Sequence, residues 1–197
     1  MIIRYSEKKD IPRVVDIHLS RFNSFFLSSL GAKFLHVYYR SFLKKPAILL
    51  VLEDDGDIKG FACGNLLNRS FYKTLLFQNF ISFSLIGLYL LFTRPKSLFR
   101  IFFNLNHSGD DGVVYAELLS IASLKNKKGY GSALLTAFEA EVLKNSNDKE
   151  NVKISLTTDY YNNDAAVNFY KSNNYAELKV FNGYQNRKMY RFIKQFN

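Results

Sequence analysis

Two glycines and two lysines lie together in the segment Asn126-Lys127-Lys128-Gly129-Tyr130-Gly131-Ser132, between an apolar strand pattern and a helical pattern. Glycine lets an anion approach the backbone closely. The unpaired N–H groups of a first helical turn point outward, where the helix dipole is positive. Lys125 adds a third positive charge. The segment therefore predicts a seat for phosphate, although two glycines alone fit an ordinary turn as well.

A second motif begins at Asn163 and contains the pair Phe169-Tyr170. Asn163 is suited to the N-cap of a predicted helix over Asp164–Ser172. Ala166, Phe169 and Tyr170 share one face of that helix by their i, i+3, i+4 spacing. On this pattern alone, Tyr170 fits a core aromatic residue as well as a residue at a site.

Alternating strands and helices must position these two motifs. The apolar run Ala47–Glu53 predicts a strand covered on both faces, and Asp54-Asp55-Gly56-Asp57 predicts a hairpin turn after it. The order of elements predicts one α/β domain over residues 1–197, with a mixed sheet in one layer and helices on both faces. The predicted strands are Ile2–Tyr5, Ala47–Glu53, Ile58–Leu67, Val113–Ala122, Val152–Thr157, Tyr175–Phe181 and Lys188–Ile193. One predicted helix begins after Asp10, and the others cover Ala32–Lys44, Gly131–Lys144 and Asp164–Ser172.

An apolar segment interrupts this pattern from about 69 to 109. Thr74–Phe92 contains 13 apolar residues out of 19, close to the ~20 residues that span a bilayer. A single crossing would put strands of one sheet on opposite sides of a membrane, so spanning is not expected. A buried or amphipathic helix and an interfacial helix on anionic lipid both stay open.

The two motifs together resemble those of the Gcn5-related N-acetyltransferases (GNAT), bacterial members with an apolar insertion between the third and fourth strands. The cofactor loop of that family corresponds to Asn126 through Gly131, and its later helix to Asn163, Ala166, Phe169-Tyr170 and Asn174-Tyr175. Two positions depart from the family pattern. Asn126 stands where Arg or Gln is usual, and Asn174 stands where Gly is usual, although Asn tolerates left-handed backbone angles.

The resemblance implies a GNAT-like domain with a mostly antiparallel central sheet that binds acetyl-coenzyme A. It implies that amides near Gly129 and Gly131 hold the pyrophosphate, and that the backbone of Ile121 and Ser123 pairs with the pantetheine arm. Tyr170 is then the proton donor to the departing thiolate. The implied cofactor-binding residues are Ile121, Ser123, Asn126, Lys127, Lys128, Gly129, Tyr130, Gly131, Ser132 and Asn163.

Direct attack by an amine on the thioester calls for a base, because an alkylamine of pKa ~10.4 is mostly protonated at neutral pH. Glu117 is the first candidate, since it interrupts an apolar strand where an ionisable group is costly unless it is used or paired. A structural or solvent-facing role for Glu117 stays open. Asp159 and His107 are further candidates. Cys63 has no evident partner base and is interpreted as a buried strand residue.

The resemblance places the acceptor entrance around Phe22–Gly31 and Asn182–Asn186 and suggests small amines, amino sugars among them. One alternative is a peptide or protein N-acetyltransferase with Phe25, Phe26 and Tyr184 lining a groove. Another is a non-catalytic protein that binds coenzyme A or attaches to a membrane through 74–92. The oligomeric state stays open.

The composition narrows these classes further. The formal charge of +10 and the pI of about 9.6 favour polyanionic partners, but the sequence contains no recognisable nucleic-acid-binding module. A single cysteine excludes an internal disulfide and a cysteine-based metal cage, and no metal is expected. Reduced cysteine and an N-terminus without a signal-peptide pattern predict a cytoplasmic protein, with membrane association left open.

Overall fold

The described strands form one seven-stranded sheet in a single α/β domain, in the order β1-β2-β3-β4-β5-β7-β6. Neighbouring strands are antiparallel except β4 and β5, which are parallel. The strands are β1 (Ile2–Tyr5), β2 (Ala47–Asp54), β3 (Asp57–Asn65), β4 (Ala116–Ser123), β5 (Lys153–Asp159), β6 (Ala176–Asn182) and β7 (Lys188–Gln195). The computed structural model describes residues 1–23, 25–66, 71–95, 115–124, 129–146, 151–183 and 186–196.

Helices connect these strands and cover both faces of the sheet, as the sequence predicts. A 3-10 turn at Lys8–Asp10 leads into the first of them. The helices are α1 (Ile11–Arg21), α2 (Phe26–Ser29), α3 (Ala32–Ser41), α4 (Phe71–Gln78), α5 (Phe80–Thr93), α6 (Tyr130–Asn145) and α7 (Asp164–Ser172).

Two apolar cores lie on opposite sides of the sheet. Leu49 and Val51 of β2 pack with α1, α3 and α5 on what we call the α1 face. Ile48 and Leu50 of the same strand pack with α6 and α7 on the α6 face. The predicted burial of β2 on both faces is therefore confirmed.

Two helical segments differ from the expected ones. The helix that begins at Ala32 ends at Ser41 rather than Lys44, with Phe42 as its C-cap. The segment Thr74–Phe92 belongs to two helices, α4 and α5, bent by 90° at Asn79. No single described helix is long and apolar enough to cross a membrane, and only the bent pair together reaches that length and composition.

A β-bulge interrupts the pairing of β3 with β4. Cys63 lies opposite Ser120 and Gly64 lies opposite Leu118, so that Leu119 is an extra residue in β4. A side chain at Gly64 has no room, since an added Cβ would lie 2.1 Å from the Glu117 carbonyl oxygen and 2.6 Å from the Phe138 ring. The bulge therefore depends on glycine at position 64 and places Glu117 directly beside it.

Candidate active site

A gap opens between the parallel strands β4 and β5. Their pairing covers only Ala116 with Ile154 through Leu118 with Leu156. Beyond that point β4 continues to Ser123 beside β3, while β5 continues to Asp159 beside β7. The strands therefore separate towards their carboxyl ends and leave a backbone edge of β4 without a β5 partner. In open α/β sheets, ligands bind at the carboxyl ends of parallel strands.

The unpaired edge of β4 offers hydrogen-bonding groups from alternate residues. The Leu124 N–H donates to the Lys59 carbonyl at 2.8 Å, which shows that Leu124 directs its backbone groups towards β3. Because backbone groups alternate along a strand, Ile121 and Ser123 direct theirs to the opposite edge, which faces the gap. These two residues were predicted to bind the pantetheine arm.

The N-terminus of α6 lies just past the carboxyl end of β4. Gly129 is its N-cap, with a φ of 97° that L-residues rarely adopt. The first helical bond runs from the Ala133 N–H to the Gly129 carbonyl at 2.9 Å. Within the described part of the chain, the amides of Gly131 and Ser132 have no acceptor, and a Cβ on Gly129 would meet nothing within 4 Å. This open, positively polarised helix end suits an anion.

Three residues of the predicted phosphate loop, Asn126, Lys127 and Lys128, lie outside the described residues. Tyr130 lies inside them, and its side chain is buried on the α6 face, where its hydroxyl donates to Asp54 at 2.5 Å. Only the backbone of Tyr130 therefore remains for the predicted contact with a cofactor.

The first turn of α6 packs against α7. A Cβ on Gly131 would lie 3.5 Å from the Phe169 ring, so the glycine allows the two helices to approach closely. Both helices follow strands that border the gap, α6 after β4 and α7 after β5. The two sequence motifs, separated along the chain, meet here in the tertiary structure.

Asn163 occupies the N-cap position of α7, but its side chain does not cap the helix. Instead its amide nitrogen donates to the Thr158 hydroxyl at 2.5 Å and to the Asp159 carbonyl at 3.3 Å. The predicted N-cap position is therefore confirmed, although the side chain bonds the end of β5 rather than the first turn of the helix. The arrangement holds Asn163 at the carboxyl end of β5, beside the gap.

Tyr170 lies on α7 against Phe192 and Tyr175, with 9% of its surface exposed. Its hydroxyl has no hydrogen-bond partner among the described residues. Burial raises the pKa of Tyr170 well above its usual value, so the group stays protonated and able to donate. At the end of the same helix, Asn174 adopts a φ of 65°, as expected of an Asn in place of glycine.

Glu117 lies on the α1 face of β4, directly opposite Asn65 of β3. Burial raises the pKa of its carboxyl group, while the Arg191 cation and the Asn65 amide act in the opposite direction. By distance and angle, the buried side-chain amide of Asn65 forms no hydrogen bond with a described residue. A partly buried carboxyl with a raised pKa and a nearby cation is typical of a proton acceptor.

Sequence reasoning missed the groups around Glu117. Burial raises the pKa of Tyr38 on α3 and of Tyr72 on α4, and the Glu117 carboxylate raises both further. Arg191 of β7 is buried and donates to the Tyr115 hydroxyl at 2.6 Å. We call Glu117, Tyr38, Tyr72, Tyr115 and Arg191 the Glu117 cluster. Of these five residues only Glu117 was predicted from the sequence, because no local pattern relates the other four to it.

Two of the remaining candidate groups, Asp159 and Cys63, lie in the described part of the chain. Asp159 accepts two hydrogen bonds from the Arg187 guanidinium, so it forms an ion pair, and His107 lies outside the described residues. Cys63 is buried as expected. Burial raises the pKa of its thiol to about 12, with Ser120 acting in the opposite direction.

The described residues include part of the predicted acceptor entrance. The Arg187 guanidinium lies 5.4 Å from the centre of the Phe25 ring, which joins the start of β7 to the segment between α1 and α2. Phe26 packs at the edge of the core on the α1 face, and Tyr184 lies outside the described residues. Within the described ranges, no group of three or more His, Cys, Asp or Glu residues is arranged to hold a metal ion.

The sequence model of the Acetyltransferase (GNAT) family matches residues 12–175. No curated protein matches the chain by sequence.

Solved structures share the fold over nearly the whole chain. Ribosomal-protein-alanine N-acetyltransferase from Brucella melitensis has a TM-score of 0.63 at 15% identity, covering 100% of both chains. Ard1 from Thermoplasma volcanium has a TM-score of 0.61 at 16% identity, covering 100% of this chain and 97% of that one. An aminoglycoside 6'-N-acetyltransferase complexed with coenzyme A has a TM-score of 0.59 at 13% identity, covering 99% and 97%. At these identities the similarity extends to the fold alone.

Proposed function

The chain belongs to the acetyltransferase (GNAT) family, and from this we propose that it transfers an acetyl group to a primary amine of a small molecule by direct attack. Acetyl-coenzyme A is the co-substrate of this family. The observation that carries the proposal is the gap between β4 and β5, bordered by the N-termini of α6 and α7.

The residues at the gap fit acetyl-coenzyme A. Its pyrophosphate needs amide donors at a positively polarised helix end, and Gly131 and Ser132 supply them beside the open space at Gly129. Its pantetheine arm carries amide groups that can pair with a strand edge, and Ile121 and Ser123 direct their backbone groups to such an edge.

The co-substrate, when bound, supplies an acetyl thioester. Only about one alkylamine in a thousand is neutral at pH 7, so an amine acceptor must lose a proton before it attacks. The Glu117 carboxylate is suited to accept that proton, because its raised pKa brings it closer to the operating pH. The protonated hydroxyl of Tyr170 is suited to donate one to the leaving thiolate.

A small acceptor agrees with the placement of Tyr38 of α3 and Tyr72 of α4 near Glu117. Phenol hydroxyls and ring faces suit the hydroxyls and ammonium groups of an amino sugar. Two similar structures are aminoglycoside 6'-acetyltransferases, which supports this class through the fold alone. A peptide acceptor is the alternative. A panel of amino sugars, polyamines and peptide N-termini would separate the two by turnover.

Cofactor binding is tested by Gly129→Glu, measured by calorimetry with acetyl-coenzyme A. The side chain puts a negative charge at the phosphate seat, so binding should fall at least a hundredfold. Gly56→Glu is the matched control, since Gly56 also has a positive φ (74°) and open space around it, but lies in the β2–β3 turn. Equal affinity of Gly129→Glu and Gly56→Glu would overturn the proposed phosphate seat.

The role of Tyr170 is tested by Tyr170→Phe, followed by thiol release with a mixture of amines. Loss of the hydroxyl should lower kcat about 10²-fold while the affinity for acetyl-coenzyme A is kept. Tyr175→Phe is the control, because Tyr175 packs against the Tyr170 ring and its own hydroxyl is buried. Unchanged turnover in Tyr170→Phe would remove this tyrosine from the mechanism.

A further inference from the structure

Helix α5 presents a row of large apolar side chains to the solvent. Ile81, Leu85, Leu88 and Phe92 are exposed over 74%, 65%, 56% and 80% of their surfaces. Their spacing of four, three and four residues places them on one stripe of the helix. We call these four residues the α5 outer stripe.

The opposite side of α5 packs on the protein. Phe83, Ile86 and Leu90 contact the core on the α1 face. The helix is therefore apolar on both sides, although only one side is covered. Soluble proteins rarely expose a continuous apolar surface of this kind unless it binds a partner or a membrane.

The charges around the α5 outer stripe point to an anionic partner. From Ile58 to Gly109 the sequence contains no Asp or Glu. Among the described cations, Lys73 and Arg94 are exposed, and the Lys33 ammonium lies 5.0 Å from the centre of the Tyr89 ring on α5. None of these three cations forms an ion pair with a described residue. The Lys and Arg residues of the acid-free segment are Lys59, Arg69, Lys73, Arg94, Lys96 and Arg100.

An apolar stripe flanked by cations and free of acids is the pattern of a helix that lies in the interface of an anionic membrane. The 90° bend at Asn79 and the packing of Phe83, Ile86 and Leu90 on the domain favour a helix in the plane of the lipid surface over one that crosses it.

We propose that the α5 outer stripe docks this protein on the surface of a membrane that contains anionic lipid. Apolar side chains enter the boundary between headgroups and acyl chains, while Lys73 and Arg94 contact the headgroups. Since α4 adjoins α5 and carries Tyr72, docking also sets the Glu117 cluster near the lipid surface.

Vesicle co-sedimentation of the full chain tests the docking. Binding to vesicles of phosphatidylcholine with 30% phosphatidylglycerol should exceed binding to phosphatidylcholine alone and should fall with added salt. The double variant Leu85→Gln/Leu88→Gln should bind at least tenfold more weakly. Leu178→Gln, at a leucine with 46% exposure on β6, is the matched control and should bind as the native chain does.

A second pair of variants separates the charge from the apolar contribution. Lys73→Gln/Arg94→Gln should weaken binding to the anionic vesicles about fivefold per charge, whereas Lys8→Gln should leave it unchanged. Equal binding by the native chain and Leu85→Gln/Leu88→Gln would overturn the proposal.

A second copy of the chain is the alternative occupant of the α5 outer stripe. Sedimentation velocity of the native chain should show a monomer without vesicles. A dimer that Leu85→Gln/Leu88→Gln converts to monomer, with no vesicle binding by the native chain, would overturn membrane docking in favour of self-association. None of these measurements uses acetyl transfer, so their outcome is independent of the proposed activity.

Discussion

Glu117, the proposed base, lies where its charged form lowers the stability of the folded protein. Its carboxyl is partly buried on β4, and burial of a charge is unfavourable even with Arg191 near it. The folded protein therefore holds a proton on Glu117 at a pH where the unfolded chain has released it. The same raised pKa makes the group a better base near neutral pH.

Glu117→Gln should lower kcat about 10²- to 10⁴-fold, because the amide cannot accept the amine proton. It should also raise stability at pH 8. The pKa of Glu117 is raised in the folded state, so the native chain loses stability as the pH rises from 4.5 through that pKa. The Gln variant has no group that titrates at this position, so it does not lose this stability. Urea unfolding at pH 4.5 and pH 8 should show the gain only at pH 8. Full activity or a loss of stability at pH 8 would contradict this account.

Arg191→Gln should move the acidic limb of the pH profile of kcat/KM to higher pH. Burial raises the pKa of Glu117, and the Arg191 cation opposes that effect, so its removal lets the pKa rise further. Arg187→Gln is the control, since Arg187 also lies beside β7 but pairs with Asp159. An unchanged acidic limb in Arg191→Gln would mean that Arg191 does not act on the titrating group.

At the level of elements, the bulge in β4 sets the position of Glu117 relative to the strand edge that is proposed to bind the cofactor. One extra residue at Leu119 lets Glu117 lie beside Asn65 while the later residues keep their pairing with β3. The same strand then separates from β5 after Leu118. A regular strand would not combine these two placements, because each residue inserted or removed exchanges the faces of the sheet.

Gly64→Ala should destabilise the protein by about 1–3 kcal/mol, because its Cβ would clash with the Glu117 carbonyl and the Phe138 ring. Activity of the folded fraction should fall as well, since β4 must shift at Glu117. Gly87→Ala on α5 is the control, because its Cβ meets nothing within 4 Å, and it should stabilise by about 0.5–1 kcal/mol. Urea unfolding measures both changes, and equal effects would contradict the tight packing at Gly64.

For the whole molecule, cofactor binding and folding are linked. The gap proposed to bind acetyl-coenzyme A exists only when β4, β5 and their helices are packed together, so the proposed binding is to the folded state only. At a concentration a hundredfold above Kd it should add about 2.7 kcal/mol of stability. For a chain of 197 residues this corresponds to a rise in Tm of about 5–10 °C.

Differential scanning fluorimetry measures this shift. Gly129→Glu should abolish it, while Gly56→Glu should keep it. A rise in Tm for Gly129→Glu equal to that of the native chain would contradict binding at the N-terminus of α6.

Features encoded by neighbouring residues were predictable from the sequence. The burial of β2 on both faces, the turn at Asp55-Gly56 and the left-handed Asn174 follow from apolar runs and backbone preferences over a few positions. The helices after Gly129 and Asn163 were predicted for the same reason. The two motifs on these helices also predicted the family that the sequence match shows.

The tertiary structure was needed for everything that depends on contacts between distant segments. Tyr72 and Arg191 reach Glu117 from α4 and β7, and no local pattern records that proximity. Asn163 turns its side chain to Thr158 because the end of β5 lies beside it. Backbone preference and apolar spacing act over a few residues, so they specify which elements form. The free energy of a buried charge or hydrogen bond depends on which elements meet, and that is settled only when the sheet and its helices pack together.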